Sequence, residues 1–209
     1  MAEDKQLLVS TIPFEFTRQS INESIKENDG RLIVKGVLQK AEEQNQNGRV
    51  YSRELLEREA TKYDDLIKEN RALGELDHPE SAVVNLQNVS HNVIGMGWQG
   101  NDLIGKVEIL GTPSGNILKE LFKSGITLGI SSRGMGTTRD VKGETIVNDD
   151  FELVAFDFVS NPSTRGAFMD PVASSKLNEA VETQGRVCTK FCKAESLIHE
   201  IIGELGNVK

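Results

Sequence analysis

The segment GISSRG, residues 129–134, carries two adjacent serines in a short strand-like pattern bounded by glycines. Successive side chains of a β-strand point to opposite faces, so Ile130 and Ser132 share one face. Ser131 and Arg133 share the other face, which opens to a groove if Ile130 points into the core. The alternation therefore favours Ser131 over Ser132 as a nucleophile.

A second segment, GELDHP at residues 74–79, supplies a histidine at the end of another predicted strand. Serine is a poor nucleophile until a base accepts its proton, and histidine is the usual base near neutral pH. The chain has three histidines, of which His199 lies in the polar C-terminal part. We rank His78 above His91, because His91 lies within a predicted strand and has no obvious partner.

A third side chain is needed to orient the imidazole, and Asp157 is the first candidate. It lies in FELVAFDFV, residues 151–159, which is apolar on both faces and predicts a buried strand. Burial of an unpaired carboxylate is costly, so Asp157 needs a partner. That partner is His78 in a catalytic arrangement, or Arg133 or Arg165 in a structural salt bridge. Two further carboxylates remain open for the third role: Glu75 and Asp77.

Backbone N–H groups beside the serines are candidates for an oxyanion site. The flanking glycines allow a substrate backbone to approach closely and leave N–H groups available for a developing negative charge. We expect the N–H groups near Arg133 and Gly134 to serve this role. A serine, a histidine and a carboxylate catalyse hydrolysis without a metal ion or a cofactor, so we expect neither.

The rest of the chain predicts an α+β fold built on a mostly antiparallel β-barrel flanked by helices. Apolar and β-branched runs predict the strands, and apolar residues at helical spacing predict the helices. Ser52, and Thr112 followed by Pro113, are typical helix starts. The predicted strands are residues 7–16, 31–40, 83–98, 103–110 and 126–135, with at least one more within 144–160, and the predicted helices are residues 53–73 and 114–123.

Length and charge limit the possible classes of protein. The 209 residues suffice for one domain with its own core, predicted over residues 1–170, and a polar, partly helical tail, residues 171–209. The net charge of -8 argues against a large nucleic-acid-binding face. No apolar run approaches the roughly 20 residues that span a bilayer, and the N-terminus lacks a signal-peptide pattern. We therefore expect a protein that acts in a cytoplasm, with neither membrane nor nucleic acid as a partner.

Cys188 and Cys192 share one face if residues 187–194 are helical. A metal site needs two more ligands nearby, and His199 is the single candidate. The spacing therefore favours reduced structural thiols over a metal site.

Four segments follow one another in an order that is typical of a known family: NQNGRVYSRELLE from Asn45, ALGELDHPE from Ala72, GITLGISSRGMG from Gly125 and AFDFVSNPS from Ala155. Together they resemble the prohead core maturation proteases of myovirus-type tailed phages, a serine peptidase family distantly akin to the herpesvirus assemblins. The resemblance covers roughly residues 32–165, and the combination of segments is more specific than any one of them. It implies a small β-barrel surrounded by helices.

The resemblance also implies roles for particular residues. The histidine of the GELDHP segment and the first serine of the SSRG segment form the catalytic pair, which are His78 and Ser131 here. In assemblins the third member is a second histidine that follows the serine, whereas His91 precedes Ser131 and Asp157 follows it. An arginine near the serine helps to build the assemblin oxyanion site, and Arg133 is its counterpart.

Finally, the resemblance implies substrates. Proteases of this family act inside the prohead, in the host cytoplasm, where they cleave scaffold core protein, major capsid protein and themselves. They cut after Glu in Leu/Ile-x-Glu sequences, and Leu177-Asn178-Glu179 followed by Ala180 fits this pattern. We therefore expect autocleavage between Glu179 and Ala180, and self-association in the prohead. The alternative is a non-enzymatic internal scaffold or capsid assembly protein.

Overall fold

A computed structural model describes residues 18–79 and 81–172. The helices are α1 Arg18–Glu27, α2 Arg53–Lys68 and α3 Pro113–Lys123. The strands are β1 Leu32–Lys40, β2 Arg49–Val50, β3 Leu73–Glu75, β4 Val89–Gln99, β5 Asp102–Ile109, β6 Gly129–Met135, β7 Thr138–Val141, β8 Glu144–Val147, β9 Glu152–Val159 and β10 Met169–Pro171. In the part of the chain that the structure describes, no helix is long and apolar enough to span a membrane.

The strands form mainly antiparallel sheets, which confirms the predicted α+β class. The largest sheet has five strands in the order β10-β1-β5-β4-β3, with every pair antiparallel. A second sheet has the order β2-β8-β7, in which β2 and β8 are parallel. The third is the antiparallel pair β6-β9, which carries the SSRG segment.

The predicted closed barrel is wrong for the described residues, because the ladders remain three separate sheets. The β6-β9 pair meets the large sheet through isolated bridges, Leu76 to Phe158 and Gly129 to Phe168. Asp77 follows β3 with a φ of 68°, a left-handed conformation that a continuing strand cannot adopt. Pro79 then lacks the N–H that a ladder needs. Strand β3 therefore stops pairing beside β9, at the position of the predicted base, His78.

The core lies between the large sheet, the β6-β9 pair and the helices. Strand β9 contributes Phe156 and Phe158, which are almost fully buried, and Phe122 of α3 packs edge-on against Phe158. Tyr63 of α2 packs edge-on against Phe156. Because both phenylalanines face this core, strand alternation turns Asp157 to the opposite face of β9.

Two predicted elements differ from the structure in their bounds. Helix α2 begins after its Ser52 N-cap as predicted, but it ends at Lys68 and not at residue 73, because Asn70 adopts a left-handed conformation. The strand predicted over residues 83–98 begins only at Val89, because Asn85 organises a turn by accepting the N–H of Gln87 on its side chain and that of Asn88 on its carbonyl.

Helix α1 was not predicted at all. Its Ile21 is fully buried, and Ser24 and Asn28 both donate side-chain hydrogen bonds to the carbonyl of Val172, at 2.8 and 3.0 Å. Long-range contacts thus stabilise a helix whose own sequence is polar. The predicted strand at residues 7–16 and most of the predicted tail lie outside the described residues.

Candidate active site

The register of β6 and β9 brings the first candidate residues together. Ser131 lies directly opposite Asp157, and Arg133 lies two residues further along the same face. Ile130 is fully buried in the core, as the alternation predicts. Ser131 itself is only 3% exposed, whereas Ser132 is half-buried and donates its hydroxyl to Gln39 at 3.2 Å. Exposure alone therefore does not separate the two serines.

His78 reaches this face through β3. Leu76 bridges to Phe158, and the N–H of Asp77 donates to the Phe158 carbonyl at 2.8 Å. The left-handed turn at Asp77 then directs His78 over β9, and the Asp77 carboxylate accepts the N–H of His78 at 2.9 Å. The imidazole is 38% exposed and its Nδ1 lies 2.9 Å from Oδ2 of Asp157. This distance confirms the predicted contact between the two side chains.

Asp157 is fully buried and accepts hydrogen bonds on both carboxylate oxygens. Oδ2 accepts from His78 Nδ1 and from Arg133 Nε at 2.8 Å, and Oδ1 accepts from the N–H of Glu75 at 3.0 Å and from Arg133 Nη2 at 3.2 Å. Burial alone would raise the pKa of Asp157, but the hydrogen bonds from His78, Arg133 and the Glu75 backbone outweigh it and lower the pKa. The carboxylate is therefore ionised and accepts only, so Nδ1 of His78 carries a hydrogen and Nε2 is the ring nitrogen that faces away from this contact.

Arg133 links this carboxylate to a second one. Its Nη2 donates to Oε1 of Glu75 at 2.9 Å, and its Nη1 donates to the carbonyl of Ser81. Burial would lower the pKa of Arg133, but the two carboxylates more than compensate and raise it. Asp157 thus binds both His78 and Arg133, so the catalytic and structural alternatives are not exclusive.

The remaining alternatives for the third position make other contacts. Oε1 of Glu75 accepts from Arg133 and from the N–H of Asn85 at 3.0 Å. The Asp77 carboxylate accepts the backbone N–H of His78. Arg165, the other candidate salt-bridge partner of Asp157, is exposed. Among the described residues, Asp157 is the carboxylate whose oxygen contacts the imidazole.

The hydroxyl of Ser131 has a partner that sequence reasoning missed. Its Oγ lies 2.9 Å from Oγ of Ser163, and within residues 18–79 and 81–172 it forms no hydrogen bond with His78. Ser163 stands in the AFDFVSNPS segment, where Asn161 and Pro162 indicate only the end of a strand. No spacing rule shows that this loop folds back onto β6.

Ser131 and His78 nevertheless line one cleft of about 630 Å³. Its walls are Asn47, Arg49, Tyr51, His78, Pro79, Ser131, Ser132, Arg133, Gly134, Met135, Gly136, Thr137, Thr138, Val147, Phe151 and Ser163. The cleft is large enough for a peptide segment and contains the side chains of the predicted catalytic pair.

One edge of β6 directs backbone donors away from β9. The N–H of Ile130 donates to the Ala167 carbonyl at 2.9 Å, on the side opposite β9. Because N–H groups alternate along a strand, those of Ser132 and Gly134 leave β6 on this same side. A side chain at Gly134 would lie 2.5 Å from the Phe151 ring, so only glycine fits without a shift.

His91 is a structural residue of the core. It is fully buried, its Nε2–H donates to the Phe156 carbonyl at 2.8 Å, and its Nδ1 accepts from the Ser90 hydroxyl at 2.8 Å. Burial lowers the pKa of His91 to about 4, so the ring is neutral. Gly74 lets β3 approach this ring, because a Cβ there would overlap with both His91 and the Phe156 carbonyl.

No group of three or more His, Cys, Asp or Glu side chains in the described residues is arranged to hold a metal ion. The cysteines Cys188 and Cys192, together with His199, lie outside that part of the chain. The same holds for Glu179 and Ala180, so the predicted autocleavage site has no structural description.

The arrangement defines a class of protein. A serine hydroxyl, an imidazole whose Nδ1 is bound by a buried carboxylate, and a shared cleft are the groups that serine hydrolases use. The family model of the prohead core protein serine protease matches residues 12–179, and the chain belongs to this family. It is therefore a serine protease, a hydrolase of peptide bonds, and not the non-enzymatic alternative that the sequence left open.

Similar proteins support this assignment. The prohead core protein protease of Enterobacteria phage T4 is 33% identical over 156 residues, which are 71% of this chain and 74% of that protein. The solved structure of the bacteriophage T4 capsid assembly protease, gp21, matches with a TM-score of 0.60 and 31% sequence identity. That match covers 62% of this chain and 82% of the other. The resemblance inferred from four sequence segments is thus confirmed.

Proposed function

We propose that this protease cleaves the scaffold core and major capsid proteins, and itself, inside the prohead during capsid maturation. We further propose that it cuts after Glu in Leu/Ile-x-Glu sequences, within the host cytoplasm and without membrane or nucleic acid as a partner. Membership in the prohead protease family supports the setting. The observation that carries the chemistry is the Asp157–His78 contact at the edge of a cleft that also holds Ser131.

In the proposed mechanism, Ser131 attacks the peptide carbonyl while Nε2 of His78 accepts its proton. His78 later returns this proton to the leaving amine, and Asp157 orients the ring through Nδ1. The hydrogen bond between Ser131 and Ser163 belongs to the resting state, because catalytic hydrogen bonds often form fully only with substrate bound. The mechanism requires the Ser131 hydroxyl to exchange Ser163 for Nε2 of His78 as its partner.

The charged side chains on the Nδ1 side of His78 do not balance one another. Asp157 and Glu75 contribute two negative charges, and Arg133 contributes one positive charge between them. One net negative charge therefore remains next to the imidazole. It stabilises the imidazolium that forms when Ser131 attacks, and burial strengthens this effect.

We assign the oxyanion site to the backbone N–H groups around Arg133 and Gly134. The strand alternation supports the Gly134 N–H and the neighbouring Ser132 N–H, which it turns away from β9, whereas the Arg133 N–H points toward β9. The Arg133 side chain contributes indirectly, because its guanidinium is bound by two carboxylates and the Ser81 carbonyl.

We propose autoprocessing between Glu179 and Ala180, at the junction of a protease domain and a tail that begins near residue 171. Leu177-Asn178-Glu179 followed by Ala180 fits the proposed cleavage pattern and supports this position. Intact-mass analysis of assembled, active protein should show loss of residues 180–209, and Ser131→Ala protein should keep them. Full-length chains in mature, fully active particles would contradict autoprocessing.

A label tests the nucleophile directly. A fluorophosphonate should modify Ser131 in assembled particles, while Ser131→Ala particles stay unlabelled. Assembled particles are the right material, because the proposed cleavage takes place inside the prohead. Labelling at Ser132 instead would overturn the assignment of the nucleophile while leaving the protease family intact.

A further inference from the structure

The cleft differs in charge from the rest of the protein. The chain has 32 acidic and 24 basic residues, yet none of the sixteen described residues that line the cleft is Asp or Glu. Three lining side chains can carry positive charge: Arg49, His78 and Arg133. A protein with a negative net charge thus presents a cleft without carboxylates, which favours an acidic group on the bound peptide.

Two of these three side chains already bind carboxylates. Arg133 is buried and binds Asp157, Glu75 and the Ser81 carbonyl. His78 binds Asp157 through Nδ1. Arg49 is exposed, and within the described residues it forms no ion pair. Its guanidinium is therefore the cationic group of the cleft that remains available to a ligand.

Hydrogen bonds hold the backbone of Arg49 in place. Oδ1 of Asn45 accepts the N–H groups of Arg49 and Asn47, both at 3.0 Å, and the Asn45 N–H returns a hydrogen bond to the Arg49 carbonyl at 3.0 Å. Strand β2, which starts at Arg49, also pairs with β8. The guanidinium further approaches the Tyr51 hydroxyl, where it opposes the rise in pKa that burial causes.

The same segment is connected to the loop beside the nucleophile. The N–H of Gln46 donates to the Ser163 carbonyl at 2.8 Å, and its side chain donates to the Pro162 carbonyl at 2.9 Å. Ser163 in turn contacts the hydroxyl of Ser131. The position of Arg49 relative to the nucleophile is thus held by hydrogen bonds on both sides of the cleft.

From this arrangement we infer that Arg49 binds the side-chain carboxylate of the substrate residue that precedes the scissile bond. The inference deepens the proposed function, since it names the group that would select Glu at that position. A guanidinium binds a carboxylate through two parallel hydrogen bonds, and such bonds to a charged group are stronger than those to a neutral amide. Glu is therefore preferred over the isosteric Gln.

The experiment compares peptides that copy residues 174–183, with Glu, Gln or Lys at the position of Glu179. Full-length wild type, Arg49→Gln and Arg49→Glu are used in the form, free or assembled, in which a fluorophosphonate labels Ser131. Arg139→Gln is the matched control, because Arg139 is an exposed arginine of strand β7 in the same sheet, binds Asn148 and does not line the cleft.

We expect Arg49→Gln to lower kcat/KM for the Glu peptide about 10- to 100-fold, the range for a lost hydrogen bond to a charged group. The Gln peptide should change little, so that the Glu-over-Gln preference disappears. Arg49→Glu should prefer the Lys peptide. Arg139→Gln should keep the wild-type preference, and labelling of Ser131 should be the same in all variants.

Other outcomes distinguish the proposed cleavage specificity from the role of Arg49. A wild type without preference for Glu would refute the proposed cleavage specificity. A wild-type preference that Arg49→Gln retains would refute only the role of Arg49. Equal losses on the Glu and Gln peptides would also overturn it, because they would show that Arg49 supports the cleft without recognising the carboxylate.

Discussion

Asp157→Asn is the sharpest test of the proposed triad, because the change keeps the shape of the side chain and removes two acceptor sites. All four contacts of the carboxylate are donors: His78 Nδ1, Arg133 Nε and Nη2, and the N–H of Glu75. An amide nitrogen at Oδ1 would oppose two fixed donors. At Oδ2 it would oppose Arg133 Nε, while His78 can adapt by moving its hydrogen to Nε2. The second orientation is therefore favoured.

The favoured orientation inactivates the base. With its hydrogen on Nε2, the neutral imidazole cannot accept the proton of Ser131, and we expect kcat to fall about 10³- to 10⁴-fold. The buried Arg133 also loses part of its countercharge, which should lower the free energy of unfolding by about 3–5 kcal/mol. Peptide cleavage should therefore be measured well below the melting temperature, with circular dichroism as a check of folding.

Glu75→Gln is the matched control for Asp157→Asn. It removes a negative charge from the same buried cluster, but its remaining oxygen can still accept from Arg133 and from Asn85. The imidazole keeps its Asp157 partner, so we expect kcat to fall less than about tenfold, the effect of a weaker field alone. Similar losses of kcat in the two variants would refute the reasoning, since Asp157 would then support the fold and not the tautomer of His78.

Three further predictions concern the nucleophile, the packing and the pH dependence. Ser131→Ala should abolish cleavage of peptides with little change in melting temperature, whereas Ser132→Ala should retain most activity; the reverse would show that the face assignment is wrong. Gly74→Ala forces a methyl group against the Phe156 carbonyl and the His91 ring, so chemical denaturation should show a free energy of unfolding lower by at least about 1–3 kcal/mol. Gly97→Ala, where the added methyl group meets open space, should change the free energy of unfolding little. Burial lowers the pKa of His91 to about 4, so below about pH 6.5 the unfolded chain binds a proton that the folded chain excludes. The free energy of unfolding of the Ser131→Ala protein should therefore fall by a few kcal/mol as the pH is lowered from about 6.5 to 4. Equal stability across this range would contradict a buried neutral imidazole.

Local patterns were sufficient to predict several elements. The apolar runs correctly predict strands β1 and β5, and the Thr112–Pro113 start correctly predicts helix α3. In each case the signal lies within a few neighbouring residues. The end of α2 and the start of β4 could not be predicted in the same way. Each depends on one residue, Asn70 or Asn85, whose backbone conformation or turn contacts break the periodicity. Helix α1 depends on Val172, which is far away in sequence.

By itself, the sequence determined the nature of the reactive groups: a serine on an alternating strand, a histidine before a proline, and an aspartate that is too deeply buried to lack a partner. Which groups meet was decided by tertiary structure alone. The β6-β9 register sets Ser131 opposite Asp157, the left-handed turn at Asp77 brings in His78, and Arg133 connects a second carboxylate. Side-chain alternation is a local property that one strand reveals, whereas register, loop return and ion pairing depend on residues far apart in the chain that only the folded structure brings into contact.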